Sequence, residues 1–359
     1  MDAVTETTPH RVVPRPRHIV RTNPGQGEHW VALRAALATA VPLLVLWATD
    51  HLELSPYAVF ATFTTLYGRR YGHAHRVRVQ LIAAAAQLVS ILGGAALALL
   101  QPDPWLVVAA TAVLAAGMSL LGDVSRWTPV GPIFQVFGFV ALAGIATTPA
   151  TLLQGAITTI GTLAWVLLLA GAWALARRLA DRRGVPSPER ATPADRPGSR
   201  ALWSNAAMYG VGVAVAGAIP TAIGIGHVGW SMIAVIAGLA GSTAFQRVLR
   251  ATNRFLGTLA GLGIAALIVL LLHPTGIWLI LLVIVLTGAA ELLVTRNYAL
   301  AMIPITPLVL LMGELLTASD PVRGLLDRLV ETLVGVVVAI AIALAMNALD
   351  RRSVPAPPG

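Results

Sequence analysis

The chain contains no cysteine and no lysine. Without thiols it can form no disulfide, no thiolate nucleophile and no cysteine-ligated metal centre. Without lysine it cannot build the phosphate-binding loop G-x-x-x-x-G-K-[S/T], so ATP hydrolysis within the chain is not expected. All 25 basic residues are arginines, which we read as a codon bias without mechanistic content. Charge is scarce as well. Charged residues make up 11% and hydrophobic residues 57%, where a soluble domain carries roughly 25% charge. A chain of 359 residues this apolar has too little polar surface to stay dissolved, so its solvent is lipid. No Ser/His/Asp arrangement stands out, and His73 and His75 stand without nearby carboxylates, so no enzyme activity, cofactor or metal is expected.

What is present is a series of apolar runs. They fall at about 31–49, 56–68, 79–100, 105–121, 130–148 and 151–176, and again at about 203–223, 228–244, 251–272, 276–294, 298–317 and 325–348. A membrane-crossing helix needs roughly 20 residues, which most runs supply. The expected fold is an all-α membrane protein of about twelve transmembrane helices, arranged as two parallel six-helix repeats. A polar tail (1–30) precedes the first repeat (31–176). A basic linker (177–202) separates it from the second repeat (203–348), and a tail (349–359) follows. The last run of the first half carries Gln154-x3-Thr158-x2-Gly161, and that of the second carries Arg328-x3-Thr332-x2-Gly335. Trp127, Pro129 and Pro132 open the fifth run of the first half, where the second half has Asn297, Pro304 and Pro307. The second run of each half, Pro56–Gly68 and Val228–Ala244, is short. It reads either as a broken helix, a form that marks binding sites in transporters, or as an ordinary helix continuing into its polar flank.

Arginine placement sets the orientation. With the N-terminus inside, Arg69, Arg70, Arg76, Arg78, Arg126, the 177–200 arginines, Arg247, Arg250, Arg254, Arg296, Arg351 and Arg352 all fall on the cytoplasmic side. Only Arg323 and Arg328 fall near the outer side. This follows the positive-inside rule and puts both termini in the cytoplasm of a cell-membrane protein, the bacterial inner or plasma membrane. The net charge of +9 is then a topology signal. No nucleic-acid partner is expected, because no soluble basic face with stacking aromatics is present. Lipids are the surrounding partner, and a homo-oligomer is left open.

Three stretches of the second half stand out. Arg254-Phe-Leu-Gly257-Thr258-Leu-Ala-Gly261 follows Gly241-Ser242-Thr243 and Arg247; Arg296-Asn297-Tyr298-Ala299 runs on to Thr306-Pro307; and Arg328-Leu-Val-Glu331-Thr332-Leu-Val-Gly335 lies in the last run. Together these resemble the fusaric acid resistance (FUSC) and aromatic acid exporter family, whose membrane module carries similar R-x-x-G-T-x-x-G, R-N-Y-A and R-x-x-x-T-x-x-G stretches. In layout the chain is also similar to the plant aluminium-activated malate transporters, which are anion channels. The resemblance covers the second half. The first half shares the segment pattern but has Gln87 to Gly94 in place of the R-x-x-G-T stretch. Glycines at four-residue spacing, such as Gly257 and Gly261, let helices approach closely in lipid.

The resemblance implies a transporter or exporter of small organic anions, aromatic carboxylic acids in particular. A passive anion channel and a non-transporting membrane scaffold are the alternatives. A bare carboxylate in lipid is very costly, so the site must offer fixed donors, and arginine's planar fork suits a carboxylate. The expected substrate-binding residues are Arg254 and Arg247 at the cytoplasmic mouth of their helix, Thr258, the midspan Gln135 and Thr306, and Arg76 and Arg78 as first-half equivalents. Glu291, Glu314 and Glu331, acidic groups inside or beside apolar runs, are the proton-coupling candidates. Arg328 reads as the partner of Glu331.

Overall fold

Alanine and leucine dominate the apolar runs and favour helices. In lipid, a helix also satisfies every backbone N–H and C=O within one segment. The computed structural model describes residues 12–23, 28–68, 71–183, 195–225, 229–314 and 321–353, with the side chains at 73–74, 181, 313–314, 321–322 and 350–353 outside the description. The described residues form α1 (Pro16–Ile19), α2 (Glu28–Ala48), α3 (Ser55–Thr62), α4 (His73–Ala98), α5 (Pro104–Ser125), α6 (Ile133–Ala143), α7 (Pro149–Arg182), α8 (Ser199–Ala222), α9 (Gly229–Leu239), α10 (Ala244–Leu267), α11 (Gly276–Leu293), α12 (Tyr298–Glu314) and α13 (Pro321–Ser353). A 3-10 turn, Phe63–Leu66, continues α3, and a π-helical turn, Ile268–Leu272, continues α10. Eight of these helices are long and apolar enough to cross a membrane, while α6, α9 and α12 are shorter apolar helices.

Several expected boundaries change. The fifth run of the first half yields only α6, because Pro129, Gly131 and Pro132 precede it and Gly131 adopts φ +90°. Helix α7 runs on to Arg182, into the expected linker, and α13 runs to Ser353, into the expected tail. Arginine is a good helix former, so loss of hydrophobicity does not end these helices. The two short second helices do not continue into their flanks. After α3 the chain tightens into a 3-10 turn and reaches Gly68 at φ +65°. After α9 comes Gly241-Ser242-Thr243, where the Thr243 side chain caps α10 by accepting from the Gln246 N–H at 3.2 Å.

These two short helices are the most enclosed elements. Every residue of α3 is buried, as is every residue of α9 from Ser231 to Leu239. A helix apolar on all sides belongs at the centre of a bundle. Around them, α4 packs on α6 and α7, and α10 packs on α12 and α13; α3 lies against α7 as α9 lies against α13. Across the halves, α5 packs on α8 and α11 on α2. Phe137 of α6 meets Trp230 of α9 edge to face at the centre, with ring centroids 5.6 Å apart. Large apolar side chains such as Val113, Leu153, Leu168, Leu271 and Val285 point outward. That surface suits contact with lipid tails.

The expected polar tail is tied down where it is described. Asn297 donates from Nδ2 to the carbonyls of Ile19 (2.7 Å) and Arg21 (3.0 Å), and Arg296 pairs with Glu28 at 2.8 Å. Asn297 also caps α12, accepting from the Ala299 N–H at 2.8 Å.

Candidate functional site

Helices α10, α12, α13 and α9 converge on a buried polar cluster, and glycines make the convergence close. A Cβ on Gly257 would collide with the Ala299 carbonyl of α12, and one on Gly261 would lie 2.7 Å from Thr306 Cβ. A Cβ on Gly335 of α13 would collide with the Ser231 carbonyl of α9. The glycines of both arginine-containing stretches therefore set the helix spacing that brings the arginines together.

Arg254, on α10, is 2% exposed. It donates from Nη1 to the Tyr298 hydroxyl at 3.1 Å and to Met302 Sδ at 3.5 Å, and its Nε has no partner. Arg328, on α13, is 1% exposed and stacks over the Trp230 ring, 3.9 Å from its centroid; its Nε and Nη1 have no partner. Arg254 and Glu331 both lie within electrostatic range of Arg328. Glu331 Oε2 accepts the N–H groups of Trp230 (2.9 Å) and Ser231 (3.3 Å) in the first turn of α9, while its Oε1 has no partner. The hydroxyls of Thr258 and Thr332 are buried and unpartnered.

The level of the site in the bundle follows from helix geometry. Trp230 stands near the start of α9, about nine residues before its end, and Arg254 stands about ten residues after the start of antiparallel α10. At 1.5 Å per residue both lie roughly 15 Å from the turn between the helices, near the middle of a membrane core about 30 Å thick. The first turn of α9 thus opens inside the bundle, where its N–H groups and dipole favour negative charge. The buried Arg328 guanidinium lies within electrostatic range of both the buried Arg254 and Glu331, and Asp327 lies within range of Glu331. Burying an ion costs several kcal/mol unless it is paired, so the arrangement is fitted to receive a further anion. It contains the donors for one: three arginine N–H positions and two hydroxyls without protein partners.

The structure brings Arg254 and Glu331 of the expected set around Arg328, with Tyr298 on Arg254 and Trp230 on Arg328, and Thr258 and Thr332 stand buried one helical turn after the two arginines. It places Arg254 inside the bundle and not at a mouth. Arg328 is stacked on Trp230, while the Glu331 carboxylate oxygen that makes bonds is turned to the α9 backbone; the simple pair read from sequence is only part of the arrangement. The other expected residues lie elsewhere. Arg247 Nε donates to the Gly241 carbonyl at 2.9 Å, tying down the turn before α10. Thr306 is back-bonded to the Met302 carbonyl at 2.8 Å and packs on Gly261. Gln135 accepts from the Tyr67 hydroxyl at 3.0 Å in the first half. Arg76 is half-buried against Gly68, and Arg78 is exposed on α4. Glu291 is buried on α11, and the Glu314 side chain lies outside the described residues. Trp230 carried no signal in the sequence; Arg328 carried one, its place in the R-x-x-x-T-x-x-G stretch.

On α7, burial does not follow the Gln154-x3-Thr158-x2-Gly161 spacing. Gln154 and Gly161 are exposed, while Gly155, Thr159 and Thr162 are buried on α7 with the pattern of Arg328, Thr332 and Gly335 on α13. The position facing the aromatic of the short helix is therefore Gly155, and a Cβ there would collide with the Tyr57 ring.

Comparison with known proteins agrees with the motifs. No curated protein and no solved structure matches the chain. Residues 214–342, from within α8 to within α13, match the family model described as fusaric acid resistance protein-like. That stretch is thus similar to a fusaric acid resistance protein-like module, and with eight helices long and apolar enough to cross a membrane the chain is a multi-pass membrane protein.

Proposed function

We propose that the protein carries small organic anions, aromatic carboxylates among them, across the cell membrane, binding the carboxylate between Arg254 and Arg328. The observation that carries this reading is the pair of buried guanidinium groups with free donors at the level of the first turn of α9. Thr258 and Thr332 would supply hydroxyl donors, and Tyr298 would hold Arg254 in place. Their enclosure supports a carrier with an occluded site over a passive channel. Glu331, beside Arg328, is the group to take up a proton if transport is proton-coupled; Glu291 and Glu314 remain secondary candidates.

The same proposal includes twelve crossings in two parallel six-helix repeats. The matching packing of α4 on α6 and α10 on α12, and of α3 on α7 and α9 on α13, supports it. So does the arginine bias of the loops, which would put both termini in the cytoplasm. On that topology, a cysteine replacing exposed Asp195 should resist an impermeant thiol reagent added to intact cells, and one replacing exposed Thr275 should react. The reverse pattern would refute the orientation.

The direct test is anion flux into proteoliposomes across a panel of aromatic and aliphatic carboxylates. Arg254→Ala should lower flux by at least roughly tenfold, the scale of one lost charged hydrogen bond. Arg178→Ala, at an exposed position on α7, should leave it within about twofold, since a lone surface charge contributes little. Equal losses in both variants would mean that general surface charge governs uptake.

A further inference from the structure

The first half repeats the geometry of the arginine site with its charges removed. Gln87 on α4 precedes Gly94 as Arg254 on α10 precedes Gly261. Each glycine is the close contact with the fifth helix of its half: a Cβ on Gly94 would collide with the Phe139 carbonyl of α6. Where Arg328 faces Trp230, Gly155 faces Tyr57.

Gln87 stands where the second half has Arg254, and with Gln135 of α6 it makes a pair of fully buried amides. Gln87 donates from Nε2 to the Phe134 carbonyl at 3.2 Å. A carbonyl can only accept, so this bond sets the orientation of the amide and leaves Gln87 Oε1 without a partner. Gln135, the neighbour of Phe134 on α6, accepts at Oε1 from Tyr67, which leaves its Nε2 without a partner. Thr64 Oγ1, on the turn leading to Tyr67, is also buried and unpartnered. A hydroxyl can donate or accept.

One free acceptor and one free donor, on helices packed against each other, complement a group that itself carries a donor and an acceptor on one carbon. A neutral carboxylic acid or a primary carboxamide is such a group. A carboxylate is not, because it offers acceptors only and would meet the lone pairs of Gln87 Oε1. An ammonium offers donors only and would meet the amide N–H of Gln135. We propose that the first half holds a second binding site, between Gln87 and Gln135, for an uncharged carboxylic acid or carboxamide group. It goes beyond the anion site and stands independently of it, since no charged residue takes part.

Benzamide is the probe, because it stays uncharged at every working pH. The measurement is thermal unfolding of the purified full-length chain, with toluene as an apolar control and benzoate at neutral pH as the anionic one. Benzamide should raise the unfolding midpoint in proportion to its concentration, in the parent and equally in Arg254→Ala; toluene should not. Gln87→Leu and Gln135→Met should each weaken the apparent affinity by about five- to tenfold, the scale of one neutral hydrogen bond. A benzamide shift no larger than that of toluene would overturn the proposal, and this comparison needs no variant to fold. So would a benzamide shift that persists unchanged in both glutamine variants. Loss of benzoate transport in Arg254→Ala with the benzamide shift intact would separate the two sites.

Discussion

Arg328→Ala and Arg328→Met should both abolish most carboxylate flux, with a fall of roughly 10- to 100-fold from the loss of charged hydrogen bonds to the substrate. The methionine variant guards against misfolding, because it keeps an unbranched apolar chain over Trp230 and removes only the buried charge. Replacing a buried ion by an apolar group of similar volume is often tolerated. Arg328→Lys should recover little. An ammonium keeps the charge but cannot lie flat on the indole or present two parallel donors to a carboxylate. Normal flux in a folded Arg328→Met protein would show that substrate does not touch this residue, and would leave Arg254 without its partner in binding.

The second large effect concerns packing. Gly257→Val and Gly335→Val should lower the thermal unfolding midpoint sharply, since even a Cβ at either position meets a carbonyl of the facing helix. Overpacking commonly costs about 1–3 kcal/mol and occasionally more, and here the obstacle is backbone, which cannot rotate away. Gly161→Ala and Gly263→Ala should be neutral or should stabilise by up to about 1 kcal/mol, the difference in helix propensity. Both glycines face open space. Equal destabilisation by all four substitutions would mean that close helix approach is not what holds the bundle.

The positions of the helices were legible in the sequence because lipid demands long apolar runs, and each run contains a helix. Their ends were less so. Arginines at 177, 178 and 182 signal the exit from the membrane, yet α7 continues through them, because what ends a hydrophobic run does not end a helix. The buried face of α7 runs through Gly155, Thr159 and Thr162, one residue from the Gln154-x3-Thr158-x2-Gly161 spacing. Thr158 and Thr159 are adjacent, and the glycines at 155 and 161 allow either alignment; burial decides between them. Arg254 was legible through its glycine-spaced stretch. The setting of Arg328 was not, because its neighbours Trp230 and Arg254 come from α9 and α10, distant in the chain. Near the outer side and three residues before Glu331, it reads from the sequence only as that residue's partner.

The exchange of partners between the halves has a consequence for motion. The first helix of each half is held by the fourth helix of the other, α8 by α5 and α2 by α11. The halves are clasped as two hands are in a handshake. Swinging one half as a rigid body against the other would shear both grips at once and expose two seams together. A bundle joined this way is expected to keep its outer frame still and to open from within. The segments outside both seams are α3 and α9, and α9 begins beside the buried arginines.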